Sequence, residues 1–592
     1  MVQPPAPRRT AMSLVGFLFV TIALAISLVP VWLLRRPDKG RLQDEFVASQ
    51  PAPPAVVRNA SIAYALRMAA FGPLFVWGAS GDLWPAIIGA ASLALGFALA
   101  YRLRLPLLVF LHDALRRDRS ISVHAFIARQ HGDDPRVRRL AAGLTLFALL
   151  GLLVAEALGL AAMLTPLLPD SAATVYVLAS GALLLTVLPA LLAGHSGVMH
   201  SAQLQLGLLY LGLFGAAALL LYLHLSALTP LPPHGTLAIV LVAVCCAALL
   251  WYRRSKYVDT ERIGQSPGAR LFSKLVKIFN PCLSILIVLV IIIAGAEIYA
   301  AGVSDIAAQG AAALSAGTRV PGPGLLALCL LPLFYPLVDI AHWQRLAALA
   351  QGLDARAAEP ARRAAAVRSV FATCATESAL VSLLLCLLGA IAVAMIGTPE
   401  GADVLPGLVS RLVAADDGAT AAVLPLLLVC AFAVALSTMS ALFSAAECTI
   451  RCDLLAADRP DLGPAQAARR TLAGGVGFAL AFAAALGLAE ASLPIRFGSG
   501  AFLALVLAVA CAQLAFAPLV LGPIASGRRG AGRVSPAWAL AILGAGAAAG
   551  AATVAAYLAT QAEAWLWSAV PACLVTGFAL FAVARAAARD PA

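Results

Sequence analysis

Fifteen apolar stretches, each long enough to cross a bilayer, leave this chain very few folds. They fall near 12–34, 57–80, 83–110, 139–166, 173–194, 203–226, 236–252, 279–301, 320–338, 369–396, 420–447, 471–490, 498–524, 536–559 and 564–585. A spanning helix needs about 20 apolar residues. Lipid offers no partner to backbone N–H and C=O groups, so only helices and closed barrels cross it. Barrel strands would alternate in short segments, whereas these runs are long and continuous. With 592 residues, 62% hydrophobic and only 12% charged, the chain reads as an all-α polytopic membrane protein with about fifteen transmembrane helices. The first run follows Arg8-Arg9, is too long for a signal-peptide core and has no small-residue cleavage site behind it, so it reads as a retained helix.

The net charge of +12 is informative through its placement. Basic clusters follow the first helix (Arg35, Arg36, Lys39, Arg41) and lie between the third and fourth (Arg116 to Arg139). Others follow at Arg253–Lys277, Arg356–Arg368 and Arg528–Arg533, and with alternating helices all share one side. Asp170, Asp305, Glu400, Asp403, Asp416 and Asp417 fall on the other. The positive-inside rule then sets the N-terminus outside and the C-terminus in the cytoplasm of a cell's inner membrane. Arginines dispersed over short loops argue against nucleic-acid binding. The polar connections are too short for a soluble enzyme module. No His-rich, nucleophilic or metal-ligating constellation sits at membrane depth, which argues against an enzyme. The eleven cysteines form no Cys-x-x-Cys pair and suggest no disulfide framework.

Two helices carry internal breakers: Gly72-Pro73 in the second, and Pro332 and Pro336 in the ninth. Proline removes a donor and clashes with the preceding turn, so both should kink or open. A matched pair of interrupted helices, each followed by four more, suggests a five-plus-five repeat with a transporter's site at the breaks. Ionisable residues at membrane depth cost roughly 2.5–3.5 kcal/mol each on insertion scales and tend to mark function. Arg67 and Glu156 lie deepest, and their opposite signs suggest a buried pair. Asp339, Glu297 and Glu377 read more simply as interfacial residues reaching water. In the eleventh helix Ser437, Ser440 and Ser444 share a face, with Thr438 about 100° round. Hydroxyls there suit close helix packing at least as readily as ligation of a hard cation.

Several segments together resemble the sodium:solute symporter family, in the manner of its proline-type and acetate-type members, whose fold is the leucine-transporter type. Phe432–Asp453 is similar to that family's eighth core helix, and Asp339-Ile-Ala-His-Trp-Gln-Arg-Leu-Ala-Ala348 to the Gln-Arg-x-x-Ala-Ala end of the sixth. Ser120–Gly132 resembles the loop before the third, and Gly194–Gln203 the turn opening the fifth. The resemblance covers about residues 12–525. It implies that Ser437 and Thr438, with backbone carbonyls of Val434, Ala65 and Met68, hold a sodium ion. It also marks departures: Arg67 stands where a small or acidic residue is usual, Ala69 replaces a serine, and Ser201 an acidic residue.

The expected organisation is an N-terminal helix and linker (1–56), a first repeat (57–226) and an inserted helix pair with a basic loop (227–319). A second repeat (320–525) and a C-terminal pair (526–592) follow. The expected function is secondary transport of a small organic solute, an amino acid or carboxylate, by alternating access with sodium coupling. Arg67, Phe71, Gly72, Glu156 and Tyr335 are the candidate solute contacts. The alternatives are proton-coupled or uncoupled transport with Arg67 in place of the ion, and a membrane sensor that binds solute without moving it.

Overall fold

The computed structural model describes residues 46–47, 52–117, 119–167, 172–227, 233–256, 283–296, 318, 320–355, 360–396, 404–415, 418–455, 464–492, 500–526 and 534–588. The first apolar run, the basic loop of the inserted pair and Glu297 lie outside them. Among the described residues, eight helices are long and apolar enough to span a membrane, and two further spans are bent pairs. The chain is a polytopic all-α membrane protein.

The first bent pair joins α1 (Pro54–Ala65) to α2 (Met68–Ala79) at 57°. Next come α3 (Trp84–Arg102), α4 (Arg104–Arg116), the short α5 (Val123–Gln130) and α6 (Pro135–Leu164). α7 runs over Ala172–Ala227 with a kink at Gly194, whose φ of 61° only glycine adopts without strain. That residue opens the segment compared above to a turn; the fifth and sixth apolar runs meet there directly instead of through a loop. The described parts of the inserted pair are α8 (Pro233–Lys256) and α9 (Leu283–Ala296).

The second bent pair joins α10 (Gly322–Val338) to α11 (Ile340–Ala355), with a 46° bend. Then follow α12 (Pro360–Ile396), the short α13 (Val404–Ala414), α14 (Gly418–Thr449) with a π-helical end over Ile450–Leu455, and α15 (Pro464–Ser492). The chain continues with α16 (Gly500–Leu514), α17 (Ala517–Ser526), α18 (Pro536–Thr560) and α19 (Glu563–Ala587). Helix α13 was not among the expected runs, because eleven residues are too few to register as a span.

Two packed groups result. In one, α12 lies on α2 and α3, and α3 on α10; in the other, α14 lies on α7 and α6. Apolar burial cannot draw helices together against lipid that is equally apolar, so close backbone approach does much of the work. Gly78 of α2 and Gly389 of α12 show it reciprocally. A Cβ on Gly78 would overlap the Cys386 carbonyl, and one on Gly389 the Phe75 carbonyl. Helix α8 packs against α12, attaching the insertion to the first group.

Candidate functional site

At each bend a carboxylate accepts backbone N–H groups that the break leaves free. Leu66 (φ −94°, ψ 92°) and Arg67 (φ −105°, ψ 151°) are extended, which leaves the first N–H groups of α2 without intrahelical partners. Glu156, reaching over from α6, takes two of them: Met68 N–H at 3.0 Å and Ala69 N–H at 3.3 Å. A carboxylate here also meets the positive end of the helix dipole. At the second bend Asp339 is extended (φ −81°, ψ 121°), and its Oδ1 accepts the Ala341 N–H at 3.3 Å. The Trp343 indole donates to the Leu337 carbonyl at 2.8 Å. The prolines therefore do not mark the openings. Pro73 lies inside α2 and Pro332 and Pro336 inside α10, while the chain opens where Glu156 and Asp339 receive the freed donors.

Arg67 ties one bend to the other. Its Nη2 lies 3.2 Å from Asp339 Oδ2, its Nη1 donates to the Tyr335 hydroxyl at 2.6 Å, and its Nε reaches the Tyr64 carbonyl at 3.4 Å. The guanidinium carbon also stands over the rings of Tyr64 (4.2 Å) and Tyr335 (4.4 Å). These contacts correct the expected Arg67–Glu156 pair: both carboxylate oxygens of Glu156 are engaged by α2, and the arginine's ion pair is with Asp339. They also correct the reading of Asp339 and Glu377 as interfacial. Each is fully buried, and Glu377 accepts the Tyr210 hydroxyl at 2.9 Å. Phe71 and Gly72 are buried one turn into α2, with Phe71 stacked parallel to Phe75 at 6.3 Å.

The hydroxyl face of α14 meets α1 just before its end. Ser437 Oγ lies 2.9 Å from the Val434 carbonyl and 3.3 Å from that of Ala63. The α1 carbonyl that Ser437 Oγ reaches is that of Ala63, and Met68 meets Glu156 through its N–H. Thr438 Oγ1 is buried with no hydrogen-bond partner among the described residues. A buried hydroxyl left unsatisfied costs about 1–3 kcal/mol, which fits a position that takes an oxygen-ligated ion. Ser440 bonds back to Leu436, and Ser444 meets His195 Nδ1 at 3.1 Å; these two serve packing.

A second polar cluster joins the segments Ser120–Gly132 and Phe432–Asp453. Asp453, in the π-helical end of α14, accepts the hydroxyls of Ser122 (2.7 Å) and Ser120 (3.0 Å) and pairs with Arg138 Nε (2.9 Å). His124 Nδ1 lies 2.7 Å away, and His124 Nε2 is 2.7 Å from Thr145 Oγ1. The cluster pins α14 to α5 and α6 at the arginine-rich end of the bundle.

No protein-family model matches the chain, and no curated protein matches it in sequence. Among solved structures, a Na+-coupled sialic acid symporter in a substrate-bound, outward-open state is similar with a TM-score of 0.59. The two are 13% identical over 96% of this chain and 98% of that one. A nucleobase-cation-symport-1 family transporter, closed with bromovinylhydantoin bound, gives 0.42 at 13% identity over 94% and 96% of the two chains. Its two bent helices and its likeness to the first of these structures give the chain the leucine-transporter type of fold.

Proposed function

We propose that this chain is a secondary active transporter for a small organic solute bearing a carboxylate, bound where the two bent helices meet. The observation that carries it is the Arg67 bridge from the α1/α2 bend to Tyr335 and Asp339 at the α10/α11 bend. Polar backbone opened inside a membrane is tolerated where it lines a site. Arginine is the side chain best shaped to take a carboxylate by two parallel hydrogen bonds. The solute exchanges with Asp339 for the guanidinium, and the α1/α2, α3, α10/α11 and α12 group rocks against α6, α7 and α14. The protein lies in the inner membrane with its basic loops in the cytoplasm.

Sodium is the coupling ion in this reading, carried with the solute. Ser437 and Thr438 supply hydroxyls, and Val434 and Ala63 supply carbonyls, a neutral all-oxygen set suited to a hard cation. The solved symporter similar to this chain is itself Na+-coupled, which supports the assignment. A second reading, proton coupling, draws on the Arg67–Asp339 pair. A monocarboxylate that takes Arg67 leaves Asp339 buried without a partner, and a proton would neutralise it.

Proteoliposomes loaded against imposed sodium or proton gradients, and offered a panel of amino acids and monocarboxylates, test both. Sodium-driven accumulation that is lost on replacing Ser437 and Thr438 together by alanine supports the first reading. Accumulation that follows only the proton gradient supports the second. Saturable binding without flux under either gradient overturns both and leaves a sensor.

A further inference from the structure

Arg345 is the most heavily buried arginine among the described residues, and most of its guanidinium has no hydrogen-bond partner among them. It sits on α11, 1% exposed, one turn below the bend. Nη1 donates to the Ala341 carbonyl at 2.9 Å, which is its own helix. Nε and Nη2 have no hydrogen-bond partner among the described residues. Asp339, the carboxylate at the bend, is already committed to Arg67 and to the Ala341 N–H. Removing a cation from water without a counter-charge costs several kcal/mol, so an unpaired buried guanidinium points to a missing partner.

The space for that partner is present. Arg345 lines a small cavity of about 20 Å³ between α1, α3, α11 and α12. Its walls include Ser61, Phe97, Ala100, His342 and Cys374. Roughly 10–15 Å³ of such space holds one water, so the cavity admits one or two atoms of water size and no bulky solute. The Ser61 hydroxyl and the Cys374 thiol donate to the carbonyls of Val57 and Arg58, so neither supplies a negative group. Tyr64 closes the side toward the bend, its ring centroid 4.3 Å from the Arg345 guanidinium carbon and 4.2 Å from that of Arg67.

The geometry points to a buried monoanion site at Arg345, separate from the solute site at Arg67 and sized for a halide or a single carboxylate head. An anion there supplies the guanidinium's missing acceptor and joins all four walls, so its binding stabilises the folded bundle by mass action. Chloride from the medium and the head of a small carboxylate share this chemistry, and the cavity alone admits either.

The test uses the full-length protein in lipid nanodiscs, with chloride, acetate and the oversized anion gluconate compared at equal ionic strength. Chloride or acetate is expected to raise the apparent Tm by about 3–5 °C over gluconate. Radiolabelled chloride should bind with a stoichiometry near one, displaced by acetate only if a carboxylate head enters. Arg345→Gln should abolish the anion effect and weaken chloride binding at least tenfold. Ala100→Val, which fills the cavity and leaves the arginine in place, should do the same and covers the case in which the glutamine variant does not fold. The site rests on its own geometry, and chloride binding is read without any solute or flux, so failure of the solute reading is told apart from failure of this one. Equal stability in all three anions with no bound chloride, or binding unchanged in Arg345→Gln or Ala100→Val, overturns the site.

Discussion

The Arg67–Asp339 contact makes a prediction whose size can be worked from its geometry. At 3.2 Å the two charges attract by about 5 kcal/mol at an effective dielectric near 20. Both were taken out of water to meet, so the pair itself adds little net stability. Breaking it from one side, however, strands a buried charge and costs about 3–5 kcal/mol. Asp339→Asn is the cleanest single change, because an asparagine oxygen can still accept the Ala341 N–H while the charge is gone. It leaves Arg67 with the Tyr335 hydroxyl and the Tyr64 carbonyl as its remaining acceptors. Arg67→Gln strands Asp339 instead. The double variant strands neither, so it should be more stable than either single one, with a coupling energy of about 3–5 kcal/mol. Equilibrium unfolding of the four proteins in mixed detergent micelles reads this directly. Losses that simply add, or an Asp339→Asn protein as stable as the parent, would show that the two bends are not joined through this pair.

Three further outcomes follow from other contacts. Glu156→Gln keeps an acceptor at the start of α2 but loses the charge facing the helix dipole, and should cost about 1–2 kcal/mol in the same unfolding assay. Glu156→Ala strands two N–H groups and should cost more. Thr438→Val should stabilise the sodium-free protein by about 1 kcal/mol, since it removes an orphaned hydroxyl; the same variant should lose any rise in Tm on adding sodium, and a rise that persists would remove Thr438 from the ion's ligands. Gly78→Ala should prevent recovery of folded protein by size-exclusion chromatography, because its Cβ meets the Cys386 backbone. Gly89→Ala, with open space around it, should be neutral or slightly stabilising.

The class of fold was legible because hydropathy is a long-range average: twenty apolar residues in a row mean a span wherever the helix later packs. The two bent helices could be read from their prolines, but not where they open. Proline only weakens a helix locally, whereas the openings at Leu66–Arg67 and Asp339 depend on Glu156 and Arg67 reaching them from about 90 and 270 residues away along the chain. For the same reason Arg67 was matched to the wrong carboxylate. Depth in the membrane can be counted along a helix, while which face meets which neighbour cannot. Asp339 ends an apolar run and so resembled a residue at the water interface, yet its helix continues as α11 and carries it inside. The hydroxyl face at Ser437 could be read because its spacing lies within one helix, whereas the Ala63 carbonyl that Ser437 meets on α1 depends on how two distant helices pack.

Under the proposed transport reading, these pairings would tie the coupling ion to the charge of the solute. At the bends Arg67 is matched by Asp339, and Glu156 by the start of α2. A zwitterionic amino acid can enter such a site without unbalancing it: its carboxylate takes Arg67 while its ammonium takes Asp339. No proton is then needed, and sodium at Ser437 and Thr438 moves one net charge per cycle. A monocarboxylate has no group for Asp339 and must bring a proton; where that proton replaces sodium as the coupling ion, its transport is electroneutral. Solid-supported membrane electrophysiology separates the two. An amino acid should give a sodium-dependent inward current that is flat in pH, and a monocarboxylate should give uptake without current that rises as the medium is acidified. Asp339→Asn should abolish the first and free the second from its pH dependence, because the position is then permanently neutral. Sodium-driven monocarboxylate uptake that ignores pH would mean that Asp339 keeps its charge without Arg67, and the exchange of partners at the bends could not then be how the solute is held.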